Sequence, residues 1–309
     1  MASVQTTLCL AVVFALALGS HAIDSAVGSS AVAKIMENCV AAEIDGFSYS
    51  ADGSGAGQDY AVAAPGNIGV SDVPLSASGI LHCPFATGII RVVANNKEGL
   101  KLDACTLAGI FDGSITKWSD KAIVALNGDM ADTLTGKIVP IGRSDSSGST
   151  SLMSQYASTC GSGFGLGTGK TLSWGPTVKT ADGTSGVLNL VAKTEGGITY
   201  ASRGSPEVAL ANADGNFVTS SSASPPGDVS VPAPGGSWSD VSFINGGGNT
   251  HPISFAPFIL TNADDGGEDV KGFLKTAYSS AVQGCAASQG FQGVTGSLEK
   301  AGAACMKAF

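Results

Sequence analysis

Gly142-Arg143-Ser144-Asp145-Ser146-Ser147-Gly148-Ser149 sets one fixed cation beside a turn of glycine and hydroxyl side chains, and beyond it Leu152, Met153 and Tyr156 recur at helical spacing. That spacing predicts a helix starting at the turn. The free N–H groups of its first turn would then face whatever Arg143 holds, which makes the segment a candidate anion cradle. A Ser/Gly-rich helix start is also an ordinary cap, so the weight comes from repetition. Gly28-Ser29-Ser30 precedes an apolar stripe of Val32, Ile35, Met36, Cys39 and Val40, which predicts a helix. Gly53-Ser54-Gly55-Ala56-Gly57 follows the alternating Phe47-Ser48-Tyr49-Ser50 and opens a helical pattern that ends before Pro65. Helix starts of one chemistry, repeated in this way, suit convergence on one ligand.

A further segment, Asn67-Ile68-Gly69-Val70-Ser71-Asp72-Val73-Pro74-Leu75-Ser76, reads as a short apolar strand running into a loop that carries a carboxylate. Asp72 alone reads equally as the cap of a turn. Beside an anion site it has a use when the ligand keeps a proton, because an ionised carboxylate only accepts hydrogen bonds. Such a group welcomes monohydrogen phosphate and repels sulfate, which has no proton at neutral pH.

Taken in order, Gly28-Ser29-Ser30, Gly53-Ser54-Gly55, Gly69 to Ser76 and Arg143 to Ser149 resemble the successive ligand segments of phosphate-binding proteins from bacterial ABC phosphate transporters. Leu107 to Trp118 resembles that family's helix and turn, and Gly196 to Tyr200 and Pro252 to Leu260 resemble later strands. The resemblance spans most of residues 25–280. It implies an α/β, two-lobed periplasmic-binding-protein-like fold of type II, with a ligand cleft between the lobes. It also implies that Ser30, Ser54, Ser147 and Ser149 donate hydroxyl hydrogen bonds and that Gly148 donates its N–H. Arg143 would supply the full positive charge, Asp72 would accept the ligand proton, and Asp145 would hold the guanidinium. Two departures stand out: Ala31 occupies a place usually bulkier in the family, and Ser146 replaces a glycine.

The first 22 residues hold the apolar run Leu8 to Leu18 and end Ser20-His21-Ala22, a small-x-small pattern that predicts a secretory signal peptide, although a basic start is lacking. Its removal leaves about 287 residues, ample for two α/β lobes. The expected division is 23–92 with 254–309 as one lobe and 93–253 as the other, joined by crossing segments near residues 92 and 253. Apolar runs at Gly88 to Ala94 and Lys137 to Ile141 read as buried strands between helical patterns. Residues 202–251 are dense in Gly, Ser and Pro and read as a loop-rich insertion.

Six cysteines follow the leader, and six allow fifteen pairings. Proximity favours Cys285 with Cys305 and Cys83 with Cys105, leaving Cys39 and Cys160. Three bridges would exceed the resembled family's usual number and suggest an extracellular setting. Metal binding is disfavoured by the absence of a C-x-x-C pair and by only His82 and His251 after the leader, and no cofactor is called for. A net charge of −9 argues against nucleic acid as a partner. It leaves a small anion open, because surface charge is screened within about 8 Å whereas Arg143 and N–H dipoles act at contact.

Other signals are weaker. Gly163 to Thr171 ends Gly169-Lys170-Thr171 like a P-loop, but Phe164 stands where that motif needs its first glycine. Asp264 to Asp269 lacks the ligand spacing of a calcium loop. No G-x-S-x-G elbow is present, so hydrolase chemistry, and an enzyme reading generally, is poorly supported. The expected function is a secreted binding protein, periplasmic in a bacterium, that captures inorganic phosphate. A membrane transporter and extracellular matrix components are its candidate macromolecular partners. The alternative is an extracellular structural or adhesive protein that retains the fold.

Overall fold

The computed structural model describes residues 23–224, 226, 229–233, 235–262 and 267–309. The leader at 1–22 and the acidic Asp264 and Asp265 lie outside the described residues. The chain begins β1 (Ser25–Gly28), α1 (Ala33–Ile35, continued by a π-helical turn over Met36–Val40), β2 (Ser48–Ser50), α2 (Ser54–Ala63), β3 (Gly69–Ser71), β4 (Ile80–Pro84), β5 (Gly88–Ile89) and β6 (Arg91–Ala94). It continues β7 (Lys101–Leu102), α3 (Ala104–Asp112), α4 (Lys121–Leu126), β8 (Val139–Arg143), α5 (Gly148–Ala157), β9 (Lys179–Ala181), α6 (Gly183–Ala192) and β10 (Gly197–Ala201). Last come β11 (Glu207–Ala211), β12 (Phe217–Val218), β13 (Ser254–Phe255), β14 (Phe258–Asn262), α7 (Gly267–Ala277), α8 (Ser280–Ser288) and α9 (Gly296–Met306).

Two mixed sheets centre the two lobes. One has the order β2-β1-β3-β14-β4, and the other runs β12-β11-β6-β10-β8-β9 with β7 beside β11. In the first, β1 is parallel to β2 and β3 while β14 returns antiparallel. In the second, β8 is parallel to β9 and β10, and β6 runs antiparallel to β10. Helices cover the sheets at close range where glycine permits it. A Cβ at Gly69 would lie 2.0 Å from the Gly57 carbonyl oxygen, and one at Gly57 would lie 2.4 Å from that of Val70, so α2 sits directly on β3. Elsewhere the anchors are aromatic: Phe111, Trp118, Tyr156 and Tyr200 are fully buried under the second sheet's helices.

The run Gly88 to Ala94 is not one strand. It breaks at Ile90, whose N–H donates to the Ile253 carbonyl at 2.9 Å, and β5 pairs antiparallel with β13 in a separate ribbon between the sheets. The insertion at 202–251 is likewise more ordered than expected. Glu207–Ala211 alternates buried Val208 and Leu210 with half-buried neighbours and joins the second sheet. Glycine and proline density downstream masks this short alternation. Further on, Trp238 reaches back to the first sheet and packs on Phe258, ring centroids 4.9 Å apart, with His82 beside it. Glu268 and Asp269 of the acidic run form the first turn of α7, where negative charge meets the helix N-terminus favourably.

The expected cysteine pairing is overturned. The bridges are Cys39–Cys285, Cys83–Cys305 and Cys105–Cys160. Proximity in sequence misleads because α8 and α9 pack on different partners, the turn after α1 and β4 respectively, and so carry their cysteines apart. Peptide mapping under non-reducing conditions is expected to recover these three pairs, and a Cys285–Cys305 peptide would refute the arrangement. Removing Cys105–Cys160, which closes a 55-residue separation, is expected to lower stability by up to about 4 kcal/mol in urea titration.

Candidate functional site

Arg143 ends β8 with its side chain 1% exposed, and Asp145 grips the guanidinium bidentately, Nε to Oδ1 at 2.6 Å and Nη2 to Oδ2. The backbone around it is fixed on both sides. Its N–H donates to the Tyr200 hydroxyl at 3.1 Å, and its carbonyl accepts from Trp174 Nε1 at 2.9 Å. Burial pushes the Tyr200 phenol up to about 12, so it stays protonated and shares a 2.7 Å hydrogen bond with Thr150 Oγ1. The strand end is thus fixed and holds one cation against Asp145, in the turn that leads into α5.

That start is built as the spacing predicts. Ser147 caps α5, its Oγ accepting from Thr150 N at 3.3 Å, and Leu152, Met153 and Tyr156 are buried on the helix. Gly148 meets the other half of the molecule. A Cβ there would sit 2.4 Å from Ser54 Oγ and 2.7 Å from Asp72 Cβ, so only glycine allows this approach.

Asp72 follows β3 and is 3% exposed. Its N–H donates to Ser54 Oγ at 3.1 Å, Oδ1 accepts from Ser29 Oγ at 2.5 Å, and Oδ2 accepts from Ser149 Oγ at 3.4 Å. Burial raises its pKa from 3.8 to about 6, against the pull of the Ser29 bond, the Arg143 charge and the Ser149 bond. The carboxylate therefore titrates close to the range where a phosphate monoanion becomes a dianion.

Every residue predicted for the site belongs to this cluster or borders it. Ser54, Asp72, Gly148 and Ser149 meet directly, and Arg143 with Asp145 stands beside them. Ser30 sits one bond farther out: its Oγ accepts from Thr184 N and pairs with Thr184 Oγ1, each at 3.0 Å, while Gly183 N donates to Asp145 Oδ1 at 3.1 Å. Ser147 Oγ is occupied in capping α5. Ser29, which the sequence places in a ligand segment without a role of its own, joins the cluster, as do Gly183 and Thr184, which the sequence reading does not single out. A signal for the last two existed in Asp182-Gly183-Thr184-Ser185-Gly186, a further helix start of the same composition. A cavity of about 440 Å³ lined by Asn95, Lys97, Trp118 and Glu195 shares no residue with the cluster. Among the described residues no group of His, Cys, Asp and Glu is suited to hold a metal ion, and no helix is long and apolar enough to cross a membrane.

Because the folded pKa of Asp72 lies above its unfolded value, the folded state binds the extra proton. The contribution is present below about pH 4 and is lost as pH rises through about 6. Asp72→Asn is therefore expected to gain thermal stability relative to the parent as pH increases from 4 to 7 in anion-free buffer. A gap that shrinks over that interval would contradict the assignment.

Residues 15–279 match the family model described as the PBP superfamily domain. Phosphate-binding protein PstS3 of Mycobacterium bovis is 38% identical over 169 residues, covering 50% of this chain and 45% of that protein. The chain thus spans about half the length of several curated relatives it matches. The phosphate-binding protein PstS of Pasteurella multocida is 33% identical over 235 residues, covering 69% of this chain and 67% of that protein. Among solved structures, a high-affinity periplasmic phosphate-binding protein (PfluDING) bound with phosphate superposes with TM-score 0.69 at 19% identity over 90% of this chain and 92% of that one. A phosphate-binding protein from Stenotrophomonas maltophilia gives 0.68 at 18% over 91% and 92%. These solved structures share the two-lobed fold, and with residues 15–279 inside the family match the chain belongs to the PBP superfamily.

Proposed function

We propose that this chain is an extracytoplasmic solute-binding protein that captures inorganic phosphate between its lobes and delivers it to a membrane transporter. The observation that carries the reading is the buried Arg143–Asp145 pair set beside Asp72 and the N-terminus of α5. The names of the relatives above, phosphate-binding proteins of bacteria, support it. Arg143 would give a phosphate its remaining guanidinium donors, and Gly148 N–H with the hydroxyls of Ser30, Ser54, Ser147 and Ser149 would complete the shell. In the closed arrangement the hydroxyls of Ser54 and Ser147 accept backbone N–H groups, that of Ser30 bonds to Thr184 and that of Ser149 donates to the Asp72 carboxylate. A ligand would replace these bonds by rotation of the hydroxyl groups and a small opening. Asp72 would accept the ligand's proton, and Asp145 would keep the guanidinium in place while limiting the positive charge.

We assign the lobes as 23–90 with 254–309, and 91–253, meeting at the β5–β13 ribbon; the first boundary is moved from the expected 92 because Arg91 and Val92 of β6 pair in the second sheet, and the segment around Trp238 reaches back to the first lobe. Residues 1–22 are assigned as a secretory leader. Binding is favoured over a purely structural or adhesive role because a scaffold gains nothing from a buried ion pair such as Arg143–Asp145, which well-packed apolar side chains of similar volume would replace without loss of stability.

Calorimetric titration of the phosphate-stripped protein at neutral pH is expected to show saturable binding of phosphate and none of sulfate. Arg143→Ala should weaken phosphate binding by about 100-fold or more. Asp72→Asn should narrow the preference for phosphate over sulfate by at least about tenfold. Sulfate rejection unchanged in that variant would refute the role given to Asp72, and absence of heat and of thermal stabilisation with both anions would refute the phosphate reading.

A further inference from the structure

We propose that Lys170 and Gln58 form a latch across the cleft that stabilises the closed form and sets the rate at which the bound anion leaves. The inference rests on the phosphate-binding reading above. Lys170 lies in Gly163 to Thr171, the stretch that resembles a P-loop in sequence, and its Nζ donates to Gln58 Oε1 on α2 of the opposite lobe. Gln58 is 3% exposed, and its amide has one orientation that satisfies its surroundings. Nε2 donates to Ser71 Oγ at 3.1 Å, the Val73 carbonyl at 3.1 Å and the Pro74 carbonyl at 3.2 Å. A flipped amide would set its oxygen against those acceptors and its NH₂ against the ammonium. The only oxygen it has to offer therefore faces Lys170.

Both ends of the latch are tied to the cluster. Ser71 and Val73 flank Asp72, while the Lys170 carbonyl accepts the N–H of Ser147 at 2.9 Å, the residue that caps α5. The bridge thus joins the Asp72 loop to the α5 cradle outside the ligand shell, and the neighbouring carboxylate of Asp59 adds a favourable charge for the ammonium. Lys170 is half-buried, so its hydrogen bond is stronger than a solvated surface contact. In an open form, ammonium and amide return to water and the bond contributes nothing. Its effect falls on the closed state alone. Gln58 and Lys170 are positioning residues in this scheme, touching no ligand.

The test is stopped-flow kinetics of phosphate binding by the full chain, parent against Lys170→Met and Lys170→Arg. Lys170→Met is expected to raise the dissociation rate about tenfold, the factor of one modest charge-assisted hydrogen bond, with the association rate changed less than about twofold. Lys170→Arg should restore most of the slow release. An unchanged dissociation rate in a parent that binds phosphate would overturn the latch, as would a salt-dependent fall in association with dissociation unaltered, which marks a steering charge. Should the parent bind no phosphate, the radius of gyration of the unliganded proteins decides. A larger value for Lys170→Met upholds the latch although the phosphate reading has failed, and equal values overturn it.

Discussion

A guanidinium withdrawn from water is the constraint on which the centre of this molecule depends. Arg143 is buried, and the carboxylate of Asp145 offsets the cost only because both groups are held in bidentate register. That register requires a fixed strand end, supplied by Tyr200 from β10 and Trp174 from the loop between α5 and β9. It also requires Asp145 to stay put, which the N–H of Gly183 at the start of α6 assists. Parts of β8, β10, α5 and α6 are thereby located relative to one charge.

The second carboxylate, Asp72, experiences the same field from the other side. Alone in an apolar interior it would resist ionisation strongly; with Ser29, Ser149 and Arg143 near, burial still wins but by a moderate margin. The site thus carries no excess positive charge: Arg143 is set against two carboxylates, Asp145 and Asp72, and the three are neutral together only when Asp72 holds its proton. On the proposed reading, local dipoles and hydrogen-bond donors rather than excess charge would hold an anion, which agrees with an acidic protein of net charge −9.

Much of this was legible in the chain because the site is made of local patterns. Arg143 to Ser149, Gly53 to Gly57 and the Asp72 loop each announce themselves by composition, and the helices at α2 and α5 begin where those patterns place them. What was hidden depends on packing between distant segments. Ser29 rather than Ser30 reaches Asp72, since neighbouring side chains leave the end of β1 in different directions and only the fold decides which one faces inward. The cysteine pairs were illegible for the same reason, as separations of 246 and 222 residues carry no local signature. The strand at Glu207–Ala211 was obscured by its surroundings, a short alternation beside a long tract of glycine, serine and proline.

The placement of those bridges has a mechanical consequence. Cys39–Cys285 and Cys83–Cys305 fasten C-terminal helices to the body built on the first sheet, and Cys105–Cys160 fastens α3 to the end of α5 in the body built on the second. None of the three crosses the β5–β13 ribbon. The covalent crosslinks therefore harden each half against internal deformation and place no covalent constraint between the halves. A thiol reductant would soften the two bodies individually without freeing or locking the ribbon between them, so stiffness within each body and any movement between them would be set by different bonds.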